Sequence, residues 1–368
     1  MPGEPAANDD DRRYMAAAIR LSRKHLGLTG TNPSVGTLVV RDGVIVGRGV
    51  TAIGGRPHAE TQALAEAGES ARGATAYVTL EPCAHHGRTP PCAEALIASG
   101  VARVVGAASD PDPRVAGRGY AMLRAAGIEV VEDVLAAEAA ELMAGYLIRS
   151  VRKRPEVILK LAVSADGMIG RKGEGQVAIT GPLARAQAHA LRAESDAILV
   201  GIGTALADDP ELTCRLPGLE ARSPVRIVLD AQARLPLRSK LVRTARKVPV
   251  LVAAEASADA GRRASLWAKG VEFLAVETVD GRIALPEMLE DLAQRGITTL
   301  MVEGGAQTAR HFLGEGLVDR IALFSGAVTV GEGGIASPLL PGAMPAGFRR
   351  VDEARFGQDG FEEWVRDV

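Results

Sequence analysis

His58-Ala59-Glu60 is followed by Pro82-Cys83 and, further on, by Cys92. These positions supply one imidazole, two thiols and one spare carboxylate. Histidine and cysteine suit Zn²⁺, and a catalytic zinc keeps three protein ligands and leaves its fourth position to water. Two thiolates cancel the formal charge of the ion, so the site is neutral until its water loses a proton. Glu60 lies two residues from the imidazole and is placed to move that proton. The expected set is His58, Cys83 and Cys92 as ligands of one zinc per chain, with Glu60 as the catalytic acid–base. Zinc-bound hydroxide attacking a ring carbon that carries an exocyclic amine is the chemistry of a hydrolytic deaminase.

Nucleobase deaminases usually carry Pro-Cys-x-x-Cys. Here eight residues, Ala84 to Pro91, separate the two cysteines. This longer loop is basic and polar. A substrate group such as a phosphate is expected to rest on His85, His86, Arg88 or Thr89; the alternative is a plain solvated connection. A closed structural zinc would need a fourth protein ligand, which His85 or His86 would have to supply.

The elements that position these groups follow from local signals. Residues 58–67 read as a helix that begins after Pro57, and residues 91–99 as a second helix with Pro91 at its first position. His58 and Cys92 then sit at helix N-termini, where the partial positive charge favours thiolate over thiol. One tension remains in this reading. Positions i and i+2 point roughly 200° apart on an ideal helix, so Glu60 must reach the water from an irregular first turn.

A chain of 368 residues is long enough for two domains. Residues 11–150 alternate helix and strand patterns, with a hairpin about Arg41-Asp42-Gly43. The basic segment 147–155, ending in Pro155, reads as the linker. The expected domains are 1–148 and 154–368. A second α/β pattern begins with a strand over 158–163 and a helix over 182–194. Strands follow at 197–200, 225–229, 248–252, 272–275 and 298–302, with helices near 259–268 and 285–295, and two closing strands near 319–325 and 361–366. The class is α/β in both halves.

The chemistry of the second half is sparser. Strand 298–302 runs into Glu303-Gly304-Gly305-Ala306 and then a helix over 306–314. A glycine turn between strand and helix exposes backbone N–H groups to an anion. Gly201-Ile202-Gly203-Thr204 matches half of a dinucleotide fingerprint but lacks its last glycine. Arg192 and Arg215 are candidate phosphate clamps; for each the competing reading is a solvated charge.

Composition excludes several classes. A formal net charge of −2 gives no electrostatic footprint for nucleic acid, and 3% aromatics make no base-stacking surface. No run of about 18 apolar residues is present for a membrane span. Met1 to Arg12 is polar and acidic, without an apolar signal core. Of three cysteines, two belong to the metal set and Cys214 reads as a small hydrophobe. A cytoplasmic location is expected.

The whole pattern resembles the bifunctional deaminase–reductase family of riboflavin biosynthesis, over nearly the full chain. The matching stretches in the first half are Thr31-Asn32-Pro33-Ser34-Val35-Gly36, His58-Ala59-Glu60, Gly73 through Cys83, His85-His86-Gly87-Arg88-Thr89-Pro90-Pro91-Cys92, Asp110-Pro111-Asp112-Pro113 and Val115 through Gly119. In the second half they are Lys160-Leu161-Ala162, Ser164-Ala165-Asp166-Gly167, Thr204 through Thr213 and Val302-Glu303-Gly304-Gly305. The long loop between the cysteines discriminates best.

The resemblance implies an N-terminal cytidine-deaminase-like zinc domain followed by a dihydrofolate-reductase-like domain. It implies zinc-dependent deamination of a diaminopyrimidinone that carries a phosphoribosylamino chain. NADPH-dependent reduction of the opened ribose to a ribitylamino chain would follow. The same resemblance assigns Asn32, His85, Lys160, Arg192, Leu212, Arg215 and Glu303 to substrate. It assigns Val163, Thr204, Asp208, Gly305, Ala306, Gln307 and Thr308 to cofactor. A homo-oligomer is expected. Two departures stand out. Gly173-Glu174-Gly175-Gln176-Val177-Ala178 lacks the Ser and Trp that the family often carries before Ile-Thr. Ala231 stands where a Ser often follows the Asp, near a cofactor 2′-phosphate, and Gln232 or Arg234 are the alternatives for that contact. Three readings compete with this one: a nucleic-acid deaminase, a deaminase with a degenerate second half that only dimerises, and a zinc-stabilised binding protein.

Overall fold

The computed structural model describes residues 6–87, 89–113 and 115–367. The chain divides into two compact units, Met1–Lys153 and Arg154–Val368. The expected contact of Arg88 lies outside the described residues.

Unit 1 contains α1 (Asp9–Ser22), β1 (Gly36–Arg41), β2 (Val44–Val50), α2 (Ala59–Ala67), β3 (Thr75–Leu80), α3 (Cys92–Ser99), β4 (Arg103–Ala108), α4 (Arg118–Ala125), β5 (Glu129–Val131), α5 (Ala136–Leu142) and α6 (Ala144–Arg152). Its sheet runs β2-β1-β3-β4-β5. The first two pairings are antiparallel and the last two parallel. Asp42 and Gly43 both take positive φ between β1 and β2, the geometry that two-residue hairpins require. Strand β3 is almost wholly buried because helices cover both faces. Tyr14 and Met15 of α1 pack on one side. Ala63, Leu96 and Leu123 of α2, α3 and α4 pack on the other.

The segment 147–155 is a correction to the sequence reading. It is not an extended linker, because α6 continues to Arg152 and ends on Lys153 in the left-handed region. The amphipathic run Tyr146-Leu147-Ile148-Arg149 keeps the helix going, and the division falls just beyond it.

Unit 2 contains β6 (Glu156–Val163), β7 (Met168–Arg171), α7 (Pro182–Glu194), β8 (Ala197–Gly201), α8 (Ile202–Asp208), β9 (Val225–Leu229), α9 (Lys240–Arg243), β10 (Val250–Ala254), α10 (Ala260–Ala268), β11 (Glu272–Ala275), β12 (Thr278–Val279) and β13 (Arg282–Ile283). The rest is α11 (Leu285–Gln294), β14 (Thr299–Val302), α12 (Ala306–Gly314), β15 (Arg320–Ser325), β16 (Gly334–Ala336), β17 (Phe348–Phe356) and β18 (Asp359–Arg366). The large sheet runs β11-β10-β9-β8-β14-β6-β15-β18-β17. Its first seven strands are parallel and the last two pairings antiparallel. Continuous burial of β8, β9, β10 and β14 reflects a sheet covered on both faces.

Strand β17 was not legible in the sequence. Its residues Arg349, Arg350, Asp352, Glu353 and Arg355 give it a polar surface, as suits an edge strand that must not pair further. The Gly201-Ile202-Gly203-Thr204 stretch joins the end of β8 to α8, with Gly201 as the helix N-cap.

Arg154 pins the start of unit 2. Its guanidinium donates to both oxygens of Asp319 at 2.5 and 2.8 Å, and Asp319 also accepts from the backbone of Val157 at 2.9 Å. Among the described residues, no helix is long and apolar enough to cross a membrane.

Candidate functional site

Strand β2 sets the position of α2. Its Gly47 and Gly49 lie so close to the helix that a Cβ there would fall 2.1 Å from the Ala63 carbonyl oxygen and 2.0 Å from that of Ala59. Helix α2 is therefore seated directly on the sheet. His58 is its N-cap, with extended φ −69° and ψ 162°. This removes the angular tension in the sequence reading. His58 and Glu60 are not two positions of one ideal helix, because the imidazole departs from the cap while Glu60 lies in the first turn. Cys83 follows the C-terminal end of β3, and Cys92 is the first residue of α3 with Pro91 as N-cap.

These three side chains converge. The His58 Nδ1 lies 3.7 Å from the Cys83 Sγ and 3.4 Å from the Cys92 Sγ. Nitrogen and sulfur on a tetrahedral zinc, with bonds of about 2.0–2.1 and 2.3 Å, stand about 3.5 Å apart. The donor set and its spacing therefore fit zinc. Among the described residues only these three offer ligand atoms that gather in this way. The His86 Nε2 faces Glu94 at 3.5 Å instead, and His85 does not join the cluster, so among the described residues no fourth protein ligand closes the centre.

The Cys92 backbone N–H donates to the Cys83 Sγ at 3.2 Å, which steers the loop and supports thiolate. The contact with Cys92 pulls Cys83 down to about 4. The same contact, together with burial, pushes Cys92 upward. A dication at this point holds both as thiolates. His58 is raised by its contact with Cys83.

Glu60 is fully buried, and burial first, then the neighbouring Cys83 charge, push its carboxyl upward. Its Oε2 has no hydrogen-bond partner. A buried, unpartnered carboxylate oxygen beside an open metal position is what a proton carrier needs. Behind the centre, Glu81 accepts from the backbone of Gly117 and Gly119 at 3.0 and 3.1 Å, tying the Glu81-Pro82-Cys83 turn to the start of α4.

Around this centre, His85 buries its Nδ1 without a partner, leaving a polar atom for a ligand to satisfy. Asn32 is half-buried, and its amide fills the space that a Cβ on Gly55 would occupy, 2.3 Å from the Asn32 Nδ2. Thr89 accepts from the Arg56 Nη1 at 2.7 Å. Arg56 is a contact that the sequence reading missed, for no motif marks it.

Unit 2 holds a cavity of about 1310 Å³ at the carboxyl ends of β6, β14, β8 and β9. This exceeds the usual 300–1,000 Å³ of a single small-molecule pocket, enough for a cofactor and a substrate together. Open α/β sheets bind ligands at this edge. Lys160 on β6 and Glu303 after β14 are brought together by register, since Leu159 pairs with Val302. The Lys160 Nζ lies 3.9 Å from the Glu303 carboxylate. The Arg192 Nε and Nη2 donate to the two Glu303 oxygens at 2.7 and 2.8 Å, and its Nη1 donates to the Thr213 carbonyl at 3.0 Å. Burial opposes charge on Glu303, but Arg192 and then Lys160 outweigh it and hold the carboxyl at about 2. Burial lowers Lys160.

The glycine turn is a built cradle. A Cβ on Gly304 would stand 2.5 Å from the Thr308 Cβ, and one on Gly201 2.6 Å from the Thr308 Oγ1. The Gly305 N–H donates to the Thr204 Oγ1 at 3.1 Å. Thr204 and Thr308 thus brace the starts of α8 and α12, and Gly305, Ala306, Gln307 and Thr308 line the cavity with the first turn of α12. This fits a dinucleotide pyrophosphate. Asp208 also lines the cavity, and burial raises it.

Other expected contacts fall differently. Val163 and Leu212 are buried, so only their backbones could face a ligand, and Leu212 takes a positive φ of 55°. Arg192 is engaged on all three nitrogens and does not line the cavity, whereas Arg215 does, half-exposed and 3.5 Å from Glu211. Gln176, Val177 and Ala178 occupy the cavity wall where the family's Ser and Trp were expected. Sequence reasoning also missed Arg171, Arg185 and Arg310, which reach the same cavity from β7, α7 and α12.

Comparisons with known proteins agree in both units. Residues 8–108 match the family described as cytidine and deoxycytidylate deaminase zinc-binding region, and residues 155–355 match the RibD C-terminal domain. The riboflavin biosynthesis protein RibD of Aquifex aeolicus is 43% identical over 323 residues, covering 88% of each chain. The structure of RibD from Acinetobacter baumannii aligns with a TM-score of 0.84 at 36% identity, over 97% of this chain and 99% of that one. A Thermotoga maritima structure described as a diaminohydroxyphosphoribosylaminopyrimidine deaminase/5-amino-6-(5-phosphoribosylamino)uracil reductase aligns with a TM-score of 0.83 at 33% identity, over 97% and 98%.

Proposed function

The chain belongs to the RibD family of riboflavin-biosynthesis enzymes, and from that premise we propose how its own residues divide the work. The chain is a bifunctional deaminase and reductase that carries out two consecutive steps of riboflavin biosynthesis, with zinc in the first unit and NADPH in the second. The substrate of the first step is 2,5-diamino-6-(5-phosphoribosylamino)pyrimidin-4(3H)-one, and the product of the second is 5-amino-6-(5-phosphoribitylamino)uracil.

In unit 1, His58, Cys83 and Cys92 hold the zinc. Bound zinc makes water a nucleophile at neutral pH by lowering its pKa. Glu60 takes the proton of the attacking water and returns it to the departing amine, which leaves as ammonia. Asn32 and His85 contact the pyrimidine or its chain. The unpartnered Glu60 Oε2 is the observation that carries this reading.

In unit 2, NADPH supplies the hydride for C1 of the opened ribose. Lys160 and Glu303 face the reacting end, with Arg192 fixing the Glu303 carboxylate in one orientation. Arg215 is the arginine left to meet the substrate phosphate, in place of the Arg192–Arg215 pair expected from sequence. The turn from Gly305 to Thr308, with Thr204 and Asp208, receives the cofactor. Self-association is part of the proposal, and light scattering of the full chain decides it. A cytoplasmic location is proposed too, consistent with three unpaired thiols at Cys83, Cys92 and Cys214.

Mass analysis of the full chain incubated with the pyrimidine substrate tests the scheme. Without NADPH the product should differ from substrate by exchange of one amine for one carbonyl oxygen. With NADPH a further gain of two hydrogens should follow. Hydrogen gain without deamination, or no reaction with NADPH, would overturn the proposed order.

A further inference from the structure

Helix α2 carries a zinc ligand at its cap and the proton carrier in its first turn. The point at which it leaves the sheet therefore sets the geometry of the metal centre. We propose that Gln62 is a positioning residue for this centre: its side-chain amide ties the His58 backbone to the end of β2 and so holds the imidazole at the zinc. The inference rests on the reading of His58 as a zinc ligand.

An N-cap side chain normally accepts from the N–H groups of its own first turn. His58 makes no such bond, because its Nδ1 is directed to Cys83 and Cys92 instead. The backbone bond that opens the helix is also long, with the Gln62 N–H reaching the His58 carbonyl at 3.4 Å. A helix start with no side-chain cap and a weak first bond needs another tether. Thr61 donates its hydroxyl to the His58 carbonyl at 2.9 Å, but that bond lies within the first turn and moves with it.

The Gln62 side chain reaches further. Its Nε2 donates to the carbonyls of Val50 at 2.5 Å, Pro57 at 3.1 Å and His58 at 3.3 Å. All three partners are acceptors, so the amide must present its nitrogen to them, two hydrogens serving three oxygens. Val50 is the last residue of β2 and is held in the sheet opposite Gly36. The next residue, Thr51, donates its N–H to the Val35 carbonyl and accepts the Val35 N–H on its Oγ1, both at 2.9 Å. Between Val50 and His58 the chain makes a loop, closed where the Ala52 N–H donates to the Pro57 carbonyl at 3.0 Å. One amide thus joins the strand residue that enters this loop to the two residues that leave it. The anchored sheet, through Gln62, determines where the imidazole begins.

The test is the zinc affinity of the full chain, stripped and reloaded, measured by competition with a chromophoric chelator. Unfolding temperatures of the stripped and loaded forms are read beside it. All four tyrosines, Tyr14, Tyr77, Tyr120 and Tyr146, lie in unit 1, so their absorbance follows that unit. Gln62→Met keeps the length and removes the donors. Groups that orient a metal ligand from behind change affinity by about 10- to 100-fold when lost, and Gln62→Met should weaken zinc by that factor. Gln62→Asn keeps an amide one methylene too short for Val50 and should move the affinity in the same direction. In both, the gap in unfolding temperature between loaded and stripped protein should narrow, because stabilisation by a bound ion follows its affinity. Thr61→Val, which removes only the bond within the turn, should keep the wild-type affinity. A purely structural Gln62 would lower both forms alike and leave the affinity unchanged. That result, or an equal loss of affinity in Thr61→Val, would overturn the assignment alone. Full zinc retention by His58→Ala would overturn the ligand reading and this inference with it.

Discussion

Replacing Arg192 by Met leaves a side chain of similar length and removes the guanidinium from Glu303. The Glu303 carboxyl is held at about 2 against an ordinary 4.5. Its side chain is only 10% exposed, so solvent screening is small. A difference of about 2.5 in pKa corresponds to about 3 kcal/mol of stability at neutral pH, at 1.36 kcal/mol for each unit. That figure belongs to Arg192 and Lys160 together, with Arg192 the larger part. Removing one partner of a buried pair costs about 3–5 kcal/mol by the general rule, of the same order. Because the folded pKa is depressed, the contribution is complete above about pH 5 and is lost as pH falls towards 2. Both tryptophans, Trp267 and Trp364, lie in unit 2, so their emission follows that unit during urea denaturation of the full chain. Arg192→Met should lower unit 2 stability by about 3 kcal/mol at pH 7.5, and the gap to wild type should narrow on acidification below pH 5. A variant within about 1 kcal/mol of wild type at pH 7.5, or a penalty independent of pH, would refute the buried-pair argument. Normal stability with weakened substrate binding would return Arg192 to the role of a phosphate clamp.

Three further outcomes are expected. Cys83→Ala and Cys92→Ala should each lose most of their zinc on metal analysis after dialysis, since each removes one of three ligands; full retention in either would displace the ligand assignment. Glu60→Gln should keep its zinc while the deamination rate falls by about 10²–10⁴. With the deaminated intermediate and NADPH supplied, reduction by that variant should proceed at the wild-type rate. Arg154→Met should lower unit 2 stability by about 1.5–3 kcal/mol through loss of its charge-assisted hydrogen bonds to Asp319, read by tryptophan emission. Zinc content should not change, and a loss of zinc in this variant would contradict the independence of the two cores.

The chain's sequence determined the chemistry of the first site. Ligand type, ligand count and a spare carboxylate are local properties of His58, Glu60, Cys83 and Cys92, and they name zinc and proton transfer without a fold. It also determined the α/β class, because apolar runs and helix-start signals are short-range. The sequence could not show how His58 and Glu60 serve one point. That depends on an extended cap at His58 and on Gly47 and Gly49 letting α2 sit against β2, both products of packing. Nor could it rank the arginines of the second site. Arg192 and Arg215 are the same residue type in the chain. Only the tertiary structure turns Arg192 onto Glu303 and leaves Arg215 at the cavity rim. Those distinctions rest on contacts between residues up to 111 positions apart, which no local pattern encodes. The edge strand β17 escaped the sequence reading for a related reason. Its role comes from pairing with β18, while its own residues carry the charges of a surface.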